Sequence, residues 1–203
     1  MRRPKLRELL EALKVLFVRG PYTSKFPAQP YTAPETYRGV PRYDEDECIG
    51  CGACANVCPA RAIQLVDDKE NRLRKLTVHY DVCIFCGQCE RYCTTEKGIA
   101  QSNDYDLATL DRGETTERVE KELVLCEHCG EVIGAKDHLC WLARKLGPQA
   151  YATPTLFLVD AQEREAGAAP IPRDPAHPGL RSDLVRVLCP RCRRNVFLAE
   201  EWK

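Results

Sequence analysis

The chain has no net charge, because 30 lysines and arginines balance 30 aspartates and glutamates. Nothing in that balance asks for nucleic acid or another strongly charged partner. Long apolar runs are also missing near the start. In MRRPKLRELLEALKVLFVRG the longest is Val15-Leu16-Phe17-Val18, far short of the roughly 20 residues that span a bilayer. Glu8 and Glu11 interrupt the stretch a secretory signal would keep apolar, so a reducing cytoplasm is the expected setting. Histidines are few, and His79, His138 and His177 stand without a cysteine or carboxylate constellation. No nucleophile, base and orienting group are grouped for bond-making chemistry, so no catalytic residue is assigned.

What is plentiful is cysteine: 13, beside 14 prolines and 12 glycines in 203 residues. An odd count with metal-like spacings argues against a disulfide framework. Such a chain is held largely by something other than apolar burial.

Three segments are expected. Residues 1–43 combine an amphipathic helix and an extended docking arm. The helix is read over residues 4–19, where Leu6, Leu9, Leu10, Leu13, Leu16 and Phe17 fall on one face. A lone helix of this length is marginal in water, so the stripe needs a support: the protein's own body, a partner subunit or a membrane surface. Five prolines from Pro21 to Pro41 favour an extended arm, and Tyr22, Tyr31, Tyr37 and Tyr43 want a surface to lie on. Residues 44–113 hold two cysteine runs with a hairpin between them, in which Ile63 and Leu65 alternate against Leu76, Val78 and Tyr80. Residues 114–203 form a C-terminal lobe. Within it 114–124 and 135–146 read as helices and 161–180 as a Pro- and Ala-rich loop.

The runs CIGCGACANVCP and CIFCGQCERYCT share one spacing at an offset of 35 residues. Three thiolates, each two residues from the next, can curl around an inorganic cube, and in two-cluster proteins the fourth cysteine of each run reaches the other cluster. Cys48, Cys51, Cys54 and Cys93 are therefore expected to hold one [4Fe–4S] cluster, and Cys83, Cys86, Cys89 and Cys58 the second. Ile49 repeats as Ile84 and Gly52 as Gly87, one to shield a cluster and the other to bring backbone amides near sulfur. Pro59 closes the first run, but Thr94 stands at the end of the second. That change predicts an intact cluster beside a looser, more hydrated turn.

Two further C-x-x-C pairs, Cys126 with Cys129 and Cys189 with Cys192, make a four-thiolate site for one zinc or a single iron ion. Sixty positions separate the pairs, yet quadrupling a loop adds only about 1.2 kcal/mol of closure cost. Structural zinc binding contributes roughly 10–16 kcal/mol. Four thiolates leave no open position, so the site pins the lobe and does no chemistry. Cys140 reads as a packing thiol, His128 as a substitute ligand that four cysteines make unnecessary, and Asp44–Glu47 as a solvated run.

The order of helix, RGPYTSKFPAQPYTAPETYRGVP arm, paired cysteine runs, DYDLATLDR, LCEHCG and CPRC resembles the two-cluster ferredoxin-type subunit of membrane-bound [NiFe]-hydrogenases and formate hydrogenlyases. More distantly it is similar to the corresponding subunit of respiratory complex I. The resemblance implies an α+β fold: a two-cluster bacterial ferredoxin-like core with the helix and arm, plus a zinc-ribbon-like lobe closed by the four-cysteine site. It implies an electron-transfer subunit on the cytoplasmic side of the membrane, peripheral to it. Its partners would be the other subunits of a hydrogenase-like complex, above all the small cluster-bearing hydrogenase subunit, and a donor that is ferredoxin or a formate-oxidising module. A free ferredoxin-like carrier is the alternative that the cysteine runs alone would also allow.

Overall fold

A computed structural model describes residues 5–20, 23, 25–164 and 186–198. Tyr22, His177 and the loop expected at 161–180, beyond residue 164, lie outside them. The chain divides into two units, Met1–Tyr37 and Arg38–Lys203.

In the first unit, α1 (Leu6–Lys14) runs on into a wider π-helical turn, Val15–Arg19. The Glu8 carboxylate accepts from the Lys5 amide at the start, and Glu11 pairs with Lys14 near the end. Its apolar stripe is exposed along its whole length, from Leu6 at 79% to Phe17 at 80%. The arm beyond it makes a turn at Phe26–Ala28, with a cis bond before Pro27.

Near the start of the second unit, Gly39 lies too close to its neighbours for any other residue. A Cβ there would meet the Asp104 carbonyl oxygen at 2.2 Å. This approach lets the Gly39 amide donate to Ser102 and leads into β1 (Pro41–Tyr43), paired antiparallel with β4 (Ile99–Gln101). Between these strands come α2 (Ala53–Val57), the hairpin β2 (Ile63–Asp68) and β3 (Leu73–His79), and α3 (Gln88–Arg91). The hairpin register sets Ile63 opposite Val78 and Leu65 opposite Leu76, the residues that the alternation singled out.

Residues 116–125 are a strand, β5, and not the helix that 114–124 predicts. Val119 and Leu123, the two buried positions, are four apart. That spacing lies on one face of a strand as well as of a helix, and the Glu- and Lys-rich remainder favours helix only locally. The free edge of β3 decides it, pairing Leu76 with Val119 and Leu73 with Glu122. On its other side β5 pairs with β6 (Val132–Ala135), so the sheet runs β2-β3-β5-β6.

α4 (Lys136–Leu146) and α5 (Pro154–Glu163) then pack through Leu139, Cys140, Val159 and Val187. Cys140 is thus a buried packing thiol. The described chain ends with α6 (Pro190–Leu198), whose first residue is proline, the residue suited to the first helical turn. No helix among the described residues is long and apolar enough to cross a membrane.

Candidate metal centres

The two cysteine runs fold as copies of one backbone path. Gly52 (φ 78°, ψ 7°) and Gly87 (φ 76°, ψ 6°) turn the chain left-handed just before α2 and α3, a conformation glycine adopts at no steric cost. The repeat extends to residues that share no side chain. Gly50 and Phe85, and likewise Arg61 and Glu96, also have positive φ at the same offset. Phe85 in this region is uncommon for a bulky residue, and the surrounding fold imposes it.

Between the copies lies a small core of Val40, Ile63, Val78, Tyr80 and Ile99, into which Cys54 and Cys89 are also buried. A cavity opens on each side. Cys48, Cys51, Cys54 and Cys93 line the first. Cys58, Cys83, Cys86 and Cys89 line the second. Each therefore collects three sulfurs from one run and the fourth from the other. No cysteine is in a disulfide. Four cysteine sulfurs on each lining, set wider apart than a single ion requires, fit a [4Fe–4S] cube and no hard cation.

The sulfurs are dressed with donors. Cys58 Sγ accepts the Ala62 amide and Cys83 Sγ the Phe85 amide. Burial works to raise the Cys93 thiol, but contact with the Thr95 hydroxyl and hydrogen bonds from the Thr95, Gly98 and Ile99 amides outweigh it and hold it below its ordinary value. Cys54 shows the opposite balance, with burial pushing it up to about 12.

The turn after Cys93 is not loosened by losing proline. Thr94 Oγ1 lies 3.2 Å from Cys51 Sγ. A thiolate carries no proton, so the hydroxyl must be the donor once Cys51 ligates. Thr95 tightens the same turn, donating to the Glu47 carbonyl and accepting from the Gly98 amide. Ahead of Cys48, Asp44 is also structural: its carboxylate accepts the Asp46 and Glu47 amides. Both threonine roles escaped the sequence reading, which treated the position only as a missing proline.

Glu117 joins this region to the sheet. It accepts the Tyr43 amide at 2.7 Å, pairs with Arg42 at 3.0 Å and takes the Tyr80 hydroxyl. Nothing in the composition of 114–124 marks that residue.

The four-sulfur site differs in scale. Cys126 and Cys129 sit in the turn between β5 and β6, while Cys189 and Cys192 begin α6. Their sulfurs all lie within 4.8 Å of one another, and among the described residues this is the only such group tight enough for one ion. A tetrahedral ion with bonds of about 2.3 Å sets its sulfurs about 3.8 Å apart; Cys129 and Cys189 are at 3.7 Å. His128 takes no part in the group. Burial raises Cys126 and Cys192, whereas Cys129, at the open edge, has burial working against it but is pulled down to about 7 by the Glu131 amide and the neighbouring thiols. Thr155 braces the site by donating to the Leu188 carbonyl, and the Glu127 amide donates to Val187.

The cysteine-rich segment is of a known class: residues 47–97 match the model of the 4Fe-4S dicluster domain. Around that segment the chain is similar to the NAD(P)H-quinone oxidoreductase subunit I of Gloeobacter violaceus, 32% identical over 47% of this chain and 48% of that one. It is also similar to formate hydrogenlyase subunit 6 of Escherichia coli, 36% identical over 28% of this chain and 31% of that one. Among solved structures, a chain of an archaeal membrane-bound sulfane sulfur reductase matches with 31% identity and a TM-score of 0.39, covering 57% of this chain and 61% of the other. The chain thus spans about half or less of the length of these two curated relatives.

Proposed function

We propose that this chain is an electron-relay subunit of a membrane-associated oxidoreductase, with one [4Fe–4S] cluster on Cys48, Cys51, Cys54 and Cys93 and another on Cys83, Cys86, Cys89 and Cys58. The observation that carries it is the pair of cavities, each lined by four cysteines, that flank one small core. When bound, such a cluster supplies reversible one-electron transfer without making or breaking substrate bonds.

The protein's part is positional. Eight thiolates fix the two groups side by side, the core excludes water between them, and amide and hydroxyl donors near the sulfurs set how readily an electron is held.

The four-sulfur site completes the reading. A single zinc ion, with iron as the lesser option, would close a zinc-ribbon-like lobe by joining the β5–β6 turn to α6. The assembly we infer is of the energy-converting hydrogenase or formate hydrogenlyase type, on the cytoplasmic face of the membrane. The terminal cysteine pairs favour it, as does the exposed stripe of α1, which a freely diffusing carrier has no use for. The partners would be the small cluster-bearing hydrogenase subunit and a donor that is ferredoxin or a formate-oxidising module. A complex I-type assembly is the second reading, because the match to a quinone oxidoreductase subunit I covers more of the chain than the match to the hydrogenlyase subunit.

Oxygen-free purification of the native assembly tests all of this. Iron and acid-labile sulfide near eight each per chain, and a broad absorption near 400 nm bleached by dithionite, are expected. Absence of labile sulfide would end the relay reading. Hydrogenase or quinone-oxidoreductase chains that co-purify decide between the two assemblies, and a stable, monodisperse monomer that joins neither supports the free carrier.

A further inference from the structure

The two cavities are related by the β1–β4 ladder, and the relation places one residue whose partner is missing. In an antiparallel pair centred on Arg42 opposite Ala100, local two-fold symmetry carries the third residue of one strand onto the third of the other. Tyr43 therefore corresponds to Gln101. Tyr43 lines the first cavity, and its hydroxyl lies 3.8 Å from Cys54 Sγ. Gln101 lines the second cavity, beside Cys58, Cys83, Cys86 and Cys89.

The Gln101 carboxamide is sealed off. Its Nε2 and Oε1 atoms are both inaccessible to solvent, and neither has a hydrogen-bond partner among the described residues. Leaving a buried amide unpaired is costly, and native interiors seldom tolerate it. Of the adjoining wall, Pro41, directly across the ladder, has no N–H, Ile63 and Val78 are hydrocarbon, and Gln88 makes no hydrogen bond to this amide. What the cavity does supply is sulfur. Sulfides and thiolates only accept, so an N–H group facing them is a matched donor.

We propose that Gln101 donates an N–H···S hydrogen bond to the iron–sulfur cluster of the second cavity and raises its reduction potential. This rests on the relay reading above. Reduction adds one electron, and therefore one negative charge, to the cluster, so a donor at its edge stabilises the reduced form more than the oxidised one. Gln101 is a positioning and tuning residue, not a ligand. The 35-residue repeat does not reveal it, because the position that far upstream is Val66, an exposed residue of β2. The correspondence exists only across the strand pair.

The test is a redox titration followed by electron paramagnetic resonance on the anaerobically loaded full chain, comparing the parent with Gln101→Leu and Gln101→Glu. A Cys86→Ala variant assigns the signals by removing a second-cavity ligand. Gln101→Leu is expected to lower the reduction equilibrium of the second cluster about tenfold, 59 mV for one electron, and to move the first by less than twofold. Gln101→Glu, which swaps the donor for an acceptor, lowers it at least as far. An exchangeable-proton coupling seen in the parent by electron–nuclear double resonance should vanish in both variants. If both variants load normally and neither potential moves by twofold, or if both clusters shift alike, the proposal is overturned. A parent chain without labile sulfide fails at the earlier step and takes the relay reading with it.

Discussion

The paired cavities and the four-sulfur site use the same ligand and reach it by opposite routes. In each cavity three sulfurs come from seven consecutive residues, and the backbone that carries them is a repeated local path through Gly52 or Gly87. In the four-sulfur site the pairs stand 60 residues apart and meet through a strand turn and a helix start that have no local tie. The lesson concerns what a metal supports. Where ligands are local, the ion finishes a loop that is already shaped; where they are distant, the ion holds elements together. Removing metal should therefore do different damage at the two places.

The largest effect is expected from Cys192→Ala. Loss of one ligand forfeits most of the roughly 10–16 kcal/mol that structural zinc contributes. Residues 126–164 and 186–198 should lose their amide exchange protection while the absorption near 400 nm persists, because β1, β4 and both cysteine runs lie elsewhere in the chain. Metal content and hydrogen exchange read the first outcome, the visible spectrum the second. If the spectrum collapses as well, the two regions are one cooperative body and the contrast fails.

Gly39→Ala strikes the other side. Its Cβ would sit 2.2 Å from a backbone oxygen that cannot swing away, so a loss of about 3 kcal/mol is expected. Strands β1 and β4 wall both cavities, so both clusters should bleach faster in air than in the parent, with the four-sulfur metal retained.

Glu117→Ala leaves the Tyr43 amide without its carboxylate and Arg42 with Asp104 alone. Hydrogen bonds to a charged group contribute about 1.5–3 kcal/mol, and chemical denaturation should register a loss of about 2 kcal/mol. An unchanged midpoint would mean that β5 is held to the core by Val119 and Leu76 alone.

Thr94→Val is nearly isosteric and removes only the hydroxyl beside Cys51. Stability should hardly change, while the first cluster's reduction equilibrium falls about threefold, roughly 28 mV at 59 mV per decade. A shift at the second cluster instead would show that the hydroxyl acts through the fold and not on its own sulfur.

Residue spacing carried much of this architecture. The hairpin was legible because Ile63, Leu65, Leu76 and Val78 alternate, and α4 because its pattern stops at Gly147-Pro148. β5 was not, since Val119 and Leu123 satisfy either period and only the edge of β3 chooses between them. Thr94, Glu117 and Gln101 were not, because each is defined by a partner far away in the chain.

By itself the order of residues settled which atoms are available: eight thiols in two matched runs, four more in two pairs, and short local turns that glycine permits. Spacing acts over a few residues, and so do steric limits on the backbone. Tertiary structure alone decided which thiols share a space, how far apart they stand, and which amide or hydroxyl faces them. Those outcomes depend on contacts between distant segments, whose energies no local pattern encodes.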